Sequence, residues 1–369
     1  MKVPYINLSL QHQAIKNEIL AEITKLLDNG QFIIGDALAL FEKSFSLLCG
    51  VKYTLGVANG TDALCLSLKA LGIGPGDEVI TAPNSFLASA SSIALAGATP
   101  VFADVRDDFT INPDEIVKAI TKKTKAILPV HLTGRPAEMN AIMDIAKMYS
   151  LFVVEDCAQA VGATYYNKSV GSFGDTGCFS LHPLKNLSAC GDGGLITTNS
   201  DTIYNYLKKA RNHGLKSRDE CEFWSLNSRL DNIQAAILNV KLKKLFEWIE
   251  RRRHIASVYR EKLQGLDMII PQESTNMNAV YHTFIIQTKH RDQLKDYLLQ
   301  KEIDTKIHYP IPIHLQESAS YLGYKKGDFP VAEKQAETIL SLPVFPELTD
   351  EQINYVCSSI INFFNKEKK

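Results

Sequence analysis

One segment of the chain, residues 153–195, carries groups that could together hold a single cofactor. It contains an acid, an amide, a hydroxyl, a lysine and a glycine-rich stretch, in the order Asp156, Gln159, Ser180, Lys185 and 191–194. A lysine amine can form a Schiff base with an aldehyde, and a carboxylate can pair with a protonated pyridine nitrogen. The order of these groups therefore permits a pyridoxal phosphate site, although no single residue requires one.

Asp156 follows an apolar run over residues 151–154 that is typical of a strand. Ligands of open α/β sheets bind beyond the carboxyl ends of the strands, but an acid ahead of a helical run can also cap a helix. The sequence leaves both interpretations of Asp156 open. Successive side chains of a strand point to opposite faces, so the neighbouring Glu155 cannot share the role of Asp156.

Lys185 lies in an apolar, loop-like stretch over residues 182–187. Partial burial lowers the pKa of a lysine and so makes its neutral amine available for imine chemistry. Lys168, beside Asn167, has the surroundings of a turn residue and is a weaker candidate. Ser180 could donate a hydrogen bond to a phosphate, although an isolated serine is more often structural.

A second candidate for phosphate binding lies far upstream, where Gly60 and Thr61 follow a strand-like run and open a helical one. The first N–H groups of a helix have no partner within the helix and carry partial positive charge, so they bind phosphate well. The alternative is that Thr61 or Asp62 only caps the helix. On this stretch alone we favour the capping alternative.

The elements that must position these residues alternate between strand and helix from residue 53 onwards. The patterns predict strands over 53–58, 78–81, 100–103, 126–130, 151–154, 178–181 and 195–198. They predict helices over 13–27, 38–48, 61–71, 85–96, 113–120, 136–149 and 201–213. Such alternation is typical of an α/β fold with a mainly parallel central sheet covered by helices.

The pattern changes after residue 213, which predicts a second, smaller α/β domain at the C-terminus. A long amphipathic stretch over 230–263 would bridge to it. Beyond the bridge we expect strands over 279–288 and 303–308 and helices over 292–300, 331–340 and 350–364. The length of 369 residues also favours two domains. We therefore expect a large domain over 1–245, which includes the N-terminal helices, and a small domain over 246–369.

Composition narrows the class of protein. A formal net charge of −1 gives no reason to expect nucleic acid or a membrane surface as a partner, and no run is long and apolar enough to span a bilayer. The seven cysteines include no C-x-x-C pair and the N-terminus has no signal-peptide core, so we expect free thiols in a cytoplasmic protein. The dinucleotide, Walker A and H-E-x-x-H patterns are absent and the histidines are scattered, so we expect no metal ion.

With these residues identified, the chain resembles the DegT/DnrJ/EryC1/StrS family of sugar aminotransferases over nearly its whole length. The matching blocks are 60–64, 74–79, 97–102, 129–132, 155–160, 185–187, 191–194, 211–214, 227–230, 234–236 and 341–343. The resemblance implies fold type I of the aminotransferases that depend on pyridoxal 5'-phosphate. It also implies transfer of the glutamate amino group to a C3 or C4 keto group of a nucleotide-linked deoxyhexose, for amino sugars such as those of lipopolysaccharide or O-antigen.

The resemblance assigns roles to individual residues. Lys185 would form the internal aldimine and then carry protons, and Asp156 would keep the pyridine nitrogen protonated. The other contacts to the cofactor would be Gly60, Thr61 and Ser180 at the phosphate, Phe86 stacked on the ring and Gln159 near the ring hydroxyl. Asn227 would reach across from the neighbouring subunit, which implies a homodimer with shared active sites. The residues expected to contact substrate are Arg229, His314 and Phe32.

Two other functions stay open on the sequence. A sugar dehydratase is one of them, because some relatives carry histidine in place of the lysine and remove a hydroxyl group; Lys185 argues against it. A cofactor-binding regulator without turnover is the other, because a fold alone does not define function. A half-reaction with glutamate separates the regulator from the enzymes.

Overall fold

The computed structural model describes residues 1–367. Its α-helices are α1 (Leu8–Asn29), α2 (Asp36–Cys49), α3 (Gly60–Ala70), α4 (Ala88–Leu95), α5 (Pro113–Ala119), α6 (Met139–Tyr149), α7 (Asp201–Ala210), α8 (Asn232–Leu242), α9 (Leu245–Leu263), α10 (Arg291–Gln300), α11 (Pro330–Thr338) and α12 (Asp350–Glu367). Its strands are β1 (Tyr53–Val57), β2 (Glu78–Thr81), β3 (Thr99–Phe102), β4 (Thr124–Leu128), β5 (Phe152–Asp156), β6 (Thr164–Tyr165), β7 (Lys168–Ser169), β8 (Thr176–Ser180), β9 (Gly194–Thr198), β10 (Met277–Asn278), β11 (Phe284–Gln287) and β12 (Ile339–Leu342). Within this described part, no helix is long and apolar enough to cross a membrane.

The central sheet confirms the predicted α/β class. Seven strands lie in the order β1-β9-β8-β5-β4-β2-β3. The five strands from β8 to β3 pair in parallel, whereas β1, β9 and β8 pair antiparallel. Parallel neighbours need a long connection, and α4, α5 and α6 supply it between β2 and β5. Strands of this part are buried on both faces, as a sheet covered by helices requires.

The register in the middle of the sheet brings candidate residues together. β5 and β8 are parallel neighbours, with Asp156 opposite Cys178. Both strands therefore end at the same edge of the sheet, where Asp156 closes β5 and Ser180 closes β8. The helix α3, which begins at Gly60, packs against β8 and β9. Ligands of α/β sheets bind at this edge.

The C-terminal part has an apolar core of its own. Buried side chains of α9, α10, α12 and the β11–β12 pair form it, and Val3 from the N-terminus joins them. This separate core supports the division into a large and a small domain, which stays a prediction. Val3 forms a bridge with Ile303, so the first residues of the chain pack with the C-terminal core.

Two predicted elements are shorter than expected. The amphipathic stretch over 230–263 forms two helices, α8 and α9, which a turn at residues 243–244 separates. The predicted strand over 279–288 is reduced to β11, because its first residues bond to the loop after β4 instead. The N–H of Val280 donates to the carbonyl of Gly134 at 3.0 Å.

Two further predictions were wrong, both where long-range pairing competes with a local pattern. No strand forms over 303–308, because this segment bridges at one end to Val3 and at the other to Ser341, which leaves no continuous ladder. Leu340, predicted to be helical, lies in β12. The pairing of β12 with β11 replaces the last turn of the predicted helix over 331–340.

Candidate active site

A cavity of about 640 Å³ opens at the carboxyl edge of the sheet. Seven of the predicted residues form part of its walls: Gly60, Thr61, Phe86, Asp156, Gln159, Ser180 and Lys185. The C-terminal part contributes other wall residues, among them Arg252, His282, His308 and Tyr309. Cavities of this size bury small-molecule ligands. Chain segments that are far apart in sequence therefore meet around one space.

The N-terminus of α3 forms one end of the cavity. Asn59 caps this helix, because its side chain accepts a hydrogen bond from the Asp62 N–H at 2.8 Å. The alternative in which Thr61 or Asp62 is the cap was therefore wrong. Within residues 1–367, the N–H groups of Gly60 and Thr61 have no acceptor. Two free donors at the positive end of a helix fit an anion such as a phosphate.

The end of β8 approaches this helix terminus closely. A Cβ added to Gly60 would lie 2.9 Å from the Cβ of Ser180, so a larger residue there would displace one of the two elements. The Ser180 Oγ accepts a hydrogen bond from the His182 N–H at 3.4 Å, which leaves its own proton free to donate. The hydroxyl therefore adds a third donor beside the two N–H groups.

Asp156 presents a buried carboxylate to the cavity. Its Oδ2 accepts a hydrogen bond from Ser89 Oγ at 2.8 Å, and its Oδ1 accepts one from the Ala158 N–H at 3.1 Å. Burial raises the pKa of this carboxyl, while these two hydrogen bonds and the charge of Lys185 lower it. Each oxygen keeps a lone pair for a further partner. The site can therefore hold a cationic N–H group beside Asp156.

Glu155 lies on the opposite face of β5 and belongs to the fold. Its carboxylate is fully buried and accepts hydrogen bonds from the N–H groups of Gly171, Phe173 and Gly174 at 2.7–2.8 Å. His131 Nδ1 accepts from a backbone N–H, so its Nε2 carries the proton that is shared with Glu155 at 3.1 Å. These bonds occupy the polar atoms of the pair and leave Asp156 as the acid of the cavity.

Lys185 faces the same cavity as Asp156. Burial lowers the pKa of its amine to about 8, against a smaller opposing effect of the Asp156 charge. The neutral amine is therefore well populated near pH 8, as nucleophilic attack on an aldehyde requires. Burial, together with the nearby Lys185 charge, also lowers the pKa of His282 and His308 on the cavity wall, so both imidazoles are neutral near pH 7.

Lys185 should react with a small aldehyde over a pH range set by its lowered pKa. In cofactor-free protein we expect the rate of modification by pyridoxal to rise with pH and to level off above about 8. The rate levels off at a lower pH than for a free lysine, because a lowered pKa populates the reactive neutral amine at lower pH. Borohydride trapping followed by mass spectrometry measures the rate, and a free lysine derivative, whose rate rises up to about pH 10, gives the reference. A Lys185 rate that follows this reference would contradict the effect of burial.

Gln159 and Phe86 approach the cavity together with Tyr309, which the sequence did not single out. Gln159 Nε2 donates to the Tyr309 hydroxyl at 3.4 Å, and its Oε1 accepts from the Thr133 N–H at 2.7 Å. The rings of Phe86 and Tyr309 lie 5.6 Å apart, and Phe86 is 54% exposed. An exposed ring on the cavity wall is available for stacking. The stretch over 309–314 contains Pro310 and Pro312, which disfavour a regular helix or central strand there, and this irregular segment is the sequence signal next to Tyr309.

The donor set of the cavity fits pyridoxal phosphate. This molecule combines a phosphate, a pyridine nitrogen and an aldehyde on one ring. The free N–H groups of α3 suit the phosphate, the buried Asp156 carboxylate suits a protonated nitrogen, and the partly neutral Lys185 amine suits the aldehyde. Three kinds of group that the cofactor needs are therefore present around one space.

Asn227, Arg229 and Phe32 do not line the cavity. Asn227 is exposed, and Arg229 Nη1 donates to the Asn212 side chain at 2.9 Å. Phe32 is exposed in the segment between α1 and α2, and its carbonyl accepts from the first turn of α8. The role of Asn227 in a neighbouring subunit and the substrate contacts of Arg229 and Phe32 stay predictions.

His314 does not reach the cavity. Its ring is buried beside those of Phe102 and Phe329, and its Nε2 lies 3.1 Å from Glu333 Oε1. Because of this packing, the imidazole of His314 is not part of the cavity wall that the other predicted residues form. The predicted contact of His314 with substrate therefore has no support from its position.

The comparisons with known proteins agree with this site. A model of the DegT/DnrJ/EryC1/StrS aminotransferase family matches residues 13–361. A pleiotropic regulatory protein of Geobacillus stearothermophilus is 44% identical and covers 99% of each chain. The UDP-N-acetyl-3-dehydro-alpha-D-glucosamine 3-aminotransferase of Acidithiobacillus ferrooxidans is also 44% identical and covers 97% of each chain. The crystal structure of Streptomyces venezuelae DesV in complex with a ketimine intermediate has a TM-score of 0.96, with 38% identity and 98% of each chain covered.

Proposed function

Because the chain belongs to the DegT/DnrJ/EryC1/StrS aminotransferase family, we propose that it transfers the amino group of glutamate to the 3-oxo group of a nucleotide-linked sugar. The chain is an aminotransferase, and its cofactor is pyridoxal phosphate. The observation that carries the proposal is a lysine of lowered pKa in one cavity with a buried carboxylate and a helix N-terminus. The choice of the 3-oxo position is supported by the activity named for the Acidithiobacillus relative.

Each residue of the cavity has a distinct task in this proposal. When bound, pyridoxal phosphate supplies an aldehyde that takes up the amine and a pyridinium ring that withdraws electrons from the reacting carbon. Lys185 Nζ binds the aldehyde and, once free, accepts and returns a proton as general base and acid. The ionised Asp156 would hold the proton on the ring nitrogen, because an anionic partner within hydrogen-bond distance favours the protonated nitrogen. The N–H groups of Gly60 and Thr61 bind the phosphate with the Ser180 hydroxyl.

The proposal includes a place in the cell and a class of product. We infer a cytoplasmic enzyme that makes amino sugars for polysaccharides such as lipopolysaccharide or O-antigen. The cysteines support the compartment, since all seven lie in the described part of the chain and are free thiols. The nucleotide-sugar substrate of the Acidithiobacillus relative supports the product class.

We propose that the active sites are shared within a homodimer, with Asn227 acting in the cavity of the partner copy. Two groups of exposed apolar side chains lie near Asn227. Trp224 and Leu226 precede it in sequence, and Phe32, Ile33 and Ile34 lie near the start of α8. Trp224 is 94% exposed, and aromatic side chains are enriched in the cores of protein interfaces, which supports an interface here. The N–H of Asn232 donates to the carbonyl of Ile33, so the two exposed segments border on one helix terminus.

A mixture of two impaired variants should recover activity if the sites are shared. Lys185→Ala removes the amine of one copy, and Asn227→Ala, expected to lower kcat about tenfold, removes the amide of the other. A hybrid dimer then has one cavity with both native residues, because each cavity takes Lys185 and Asn227 from different chains. Co-expression with random pairing should give about a quarter of wild-type kcat. Activity no higher than that of the two variants alone would mean that Asn227 acts within its own chain.

A substrate panel tests the function. Each UDP- or dTDP-linked sugar, with either a 3-oxo or a 4-oxo group, is incubated with the enzyme and glutamate. Mass spectrometry then identifies the product of each reaction. We expect the mass of an amino sugar from the 3-oxo compounds. Amination of the 4-oxo compounds alone would overturn the 3-oxo assignment, and a deoxygenated sugar would indicate a dehydratase.

The regulator considered on the sequence is tested separately, because the Geobacillus relative carries the name of a regulatory protein. Glutamate alone distinguishes such a regulator from an aminotransferase. In an aminotransferase it converts the absorption spectrum of the bound cofactor to that of the amine form, and the wall residues Lys185 and Asp156 suit that conversion. A spectrum that stays unchanged with excess glutamate would favour the regulator.

A further inference from the structure

A hydrogen-bonded relay of three side chains, Ser85, Ser89 and Asp156, ends on the carboxylate of Asp156. The Oγ atoms of Ser85 and Ser89 lie 2.8 Å apart, and Ser89 Oγ donates to Asp156 Oδ2 over 2.8 Å. All three side chains are buried, that of Ser89 completely. Ser85 lies on the wall of the cavity, and Ser89 lies in the first turn of α4. The relay therefore runs from the cavity wall, through a residue of α4, to the carboxylate of Asp156.

The chemistry of these groups sets the direction of their hydrogen bonds. A serine hydroxyl has one proton, and an ionised carboxylate can only accept. The Ser89 proton is used on Asp156, so the Ser85 hydroxyl must donate to Ser89 Oγ. The reverse order would require a protonated Asp156. The hydrogen-bonded relay therefore favours the ionised form of Asp156, whereas burial of the side chain disfavours that form.

We propose that Ser89, with Ser85 behind it, is a positioning residue that keeps Asp156 ionised and oriented towards the pyridine nitrogen of the cofactor. The inference rests on the proposed function, because a pyridine nitrogen is the partner that needs this carboxylate. Ser89 holds Oδ2 and the Ala158 N–H holds Oδ1, so two donors orient the carboxylate plane. A carboxylate made less basic by these donors leaves the shared proton on the ring nitrogen, where it withdraws electrons.

Other titratable groups also act electrostatically on Asp156, and the effect of Ser89 must be separated from theirs. These groups are Lys185, His131, Tyr309, Cys157 and Cys178. Within residues 1–367, none of them donates a hydrogen bond to the carboxylate, whereas Ser89 does. Replacing Ser89 therefore changes the carboxylate directly and leaves the neighbouring groups in place.

Ser92 provides a matched control in the same helix. It is as completely buried as Ser89, and its hydroxyl donates to the Ser89 carbonyl at 3.2 Å instead of to Asp156. Ser92→Ala thus removes a buried hydroxyl from α4 without touching the carboxylate. Ser89→Thr, which keeps a hydroxyl at the same position, tests rescue.

The test uses holoenzyme loaded with pyridoxal phosphate that carries nitrogen-15 in the ring. In Ser89→Ala we expect the nitrogen resonance to move towards the unprotonated position, and in Ser92→Ala to stay at that of wild type. The kcat of Ser89→Ala should fall about tenfold, the size expected for one hydrogen bond to a charged group. The KM for glutamate should stay within about twofold, because no contact to the donor is removed. Ser89→Thr should restore both the resonance and kcat.

The outcomes separate this inference from the proposed function. A wild-type resonance and kcat in Ser89→Ala would overturn the positioning role. An equal change in Ser92→Ala would also overturn it, because packing of α4 would then explain both variants. A wild-type enzyme without aminotransferase activity would contradict the proposed function, and the resonance would still report on Ser89.

Discussion

The Lys185→Ala variant is expected to lose turnover altogether, with kcat at least about a thousandfold below that of wild type. The change removes both the amine that binds the aldehyde of the cofactor and the group that moves the proton. Folding should survive, because within residues 1–367 the Lys185 side chain forms no hydrogen bond and borders the cavity. The measurement is steady-state production of amino sugar from glutamate and the keto sugar.

Lys168 gives the control for this variant. It lies in β7, with its amine 4.3 Å from the centre of the Phe173 ring and outside the cavity. Lys168→Ala should keep kcat within about twofold of wild type, as expected for a surface change. Borohydride reduction and mass spectrometry should place the cofactor on the peptide that contains Lys185 in wild type and in Lys168→Ala. Near-normal kcat in Lys185→Ala would mean that another lysine carries the cofactor.

Of the variants considered, Asp156→Asn has the second largest expected effect on catalysis. Loss of charge should lower catalysis at Asp156, whereas at the neighbouring Glu155 it should lower stability. The asparagine can still accept from the Ala158 N–H and bond to Ser89, so the melting temperature should change little. Its neutral amide cannot hold a proton on the ring nitrogen. We expect kcat to fall about a hundredfold to a thousandfold, the size seen when one preorganised electrostatic group is removed.

Glu155→Gln is the matched partner of that variant and should lose stability instead. The new amide NH2 would face buried N–H donors that the carboxylate now accepts, such as those of Gly171 and Phe173. We expect a loss of about 2 to 4 kcal/mol in the free energy of unfolding, measured by denaturant titration. The kcat per folded molecule should stay close to that of wild type. If Glu155→Gln instead lost catalysis at full stability, the roles assigned to the two acids would be exchanged.

Local patterns in the sequence predicted most elements around the site, because those elements depend on neighbouring residues. The strand predicted over 78–81 has the observed bounds of β2. The alternation of side chains along a strand also separated Asp156 from Glu155. In the structure one acid faces the cavity and the other binds backbone N–H groups on the far side of β5.

Contacts between distant segments could not be predicted in this way. Ser89 and His282 carry no local signal, because they matter through their contacts with Asp156 or the cavity. The same reason explains the corrections. The predicted strand over 303–308 was lost to competing partners, and the packing that withdraws His314 depends on rings from other elements.

The sequence by itself determined the chemical set: an acid, a lysine, a serine and a glycine at a helix start, in an order that suits one cofactor. The tertiary structure decided how that set works. It brought the helix start at Gly60 to the same cavity as Asp156, and it buried Lys185 enough to lower the pKa of its amine. Residue types and free helix-start donors come from local sequence, whereas burial and the meeting of these groups around one cavity arise only when distant segments pack together.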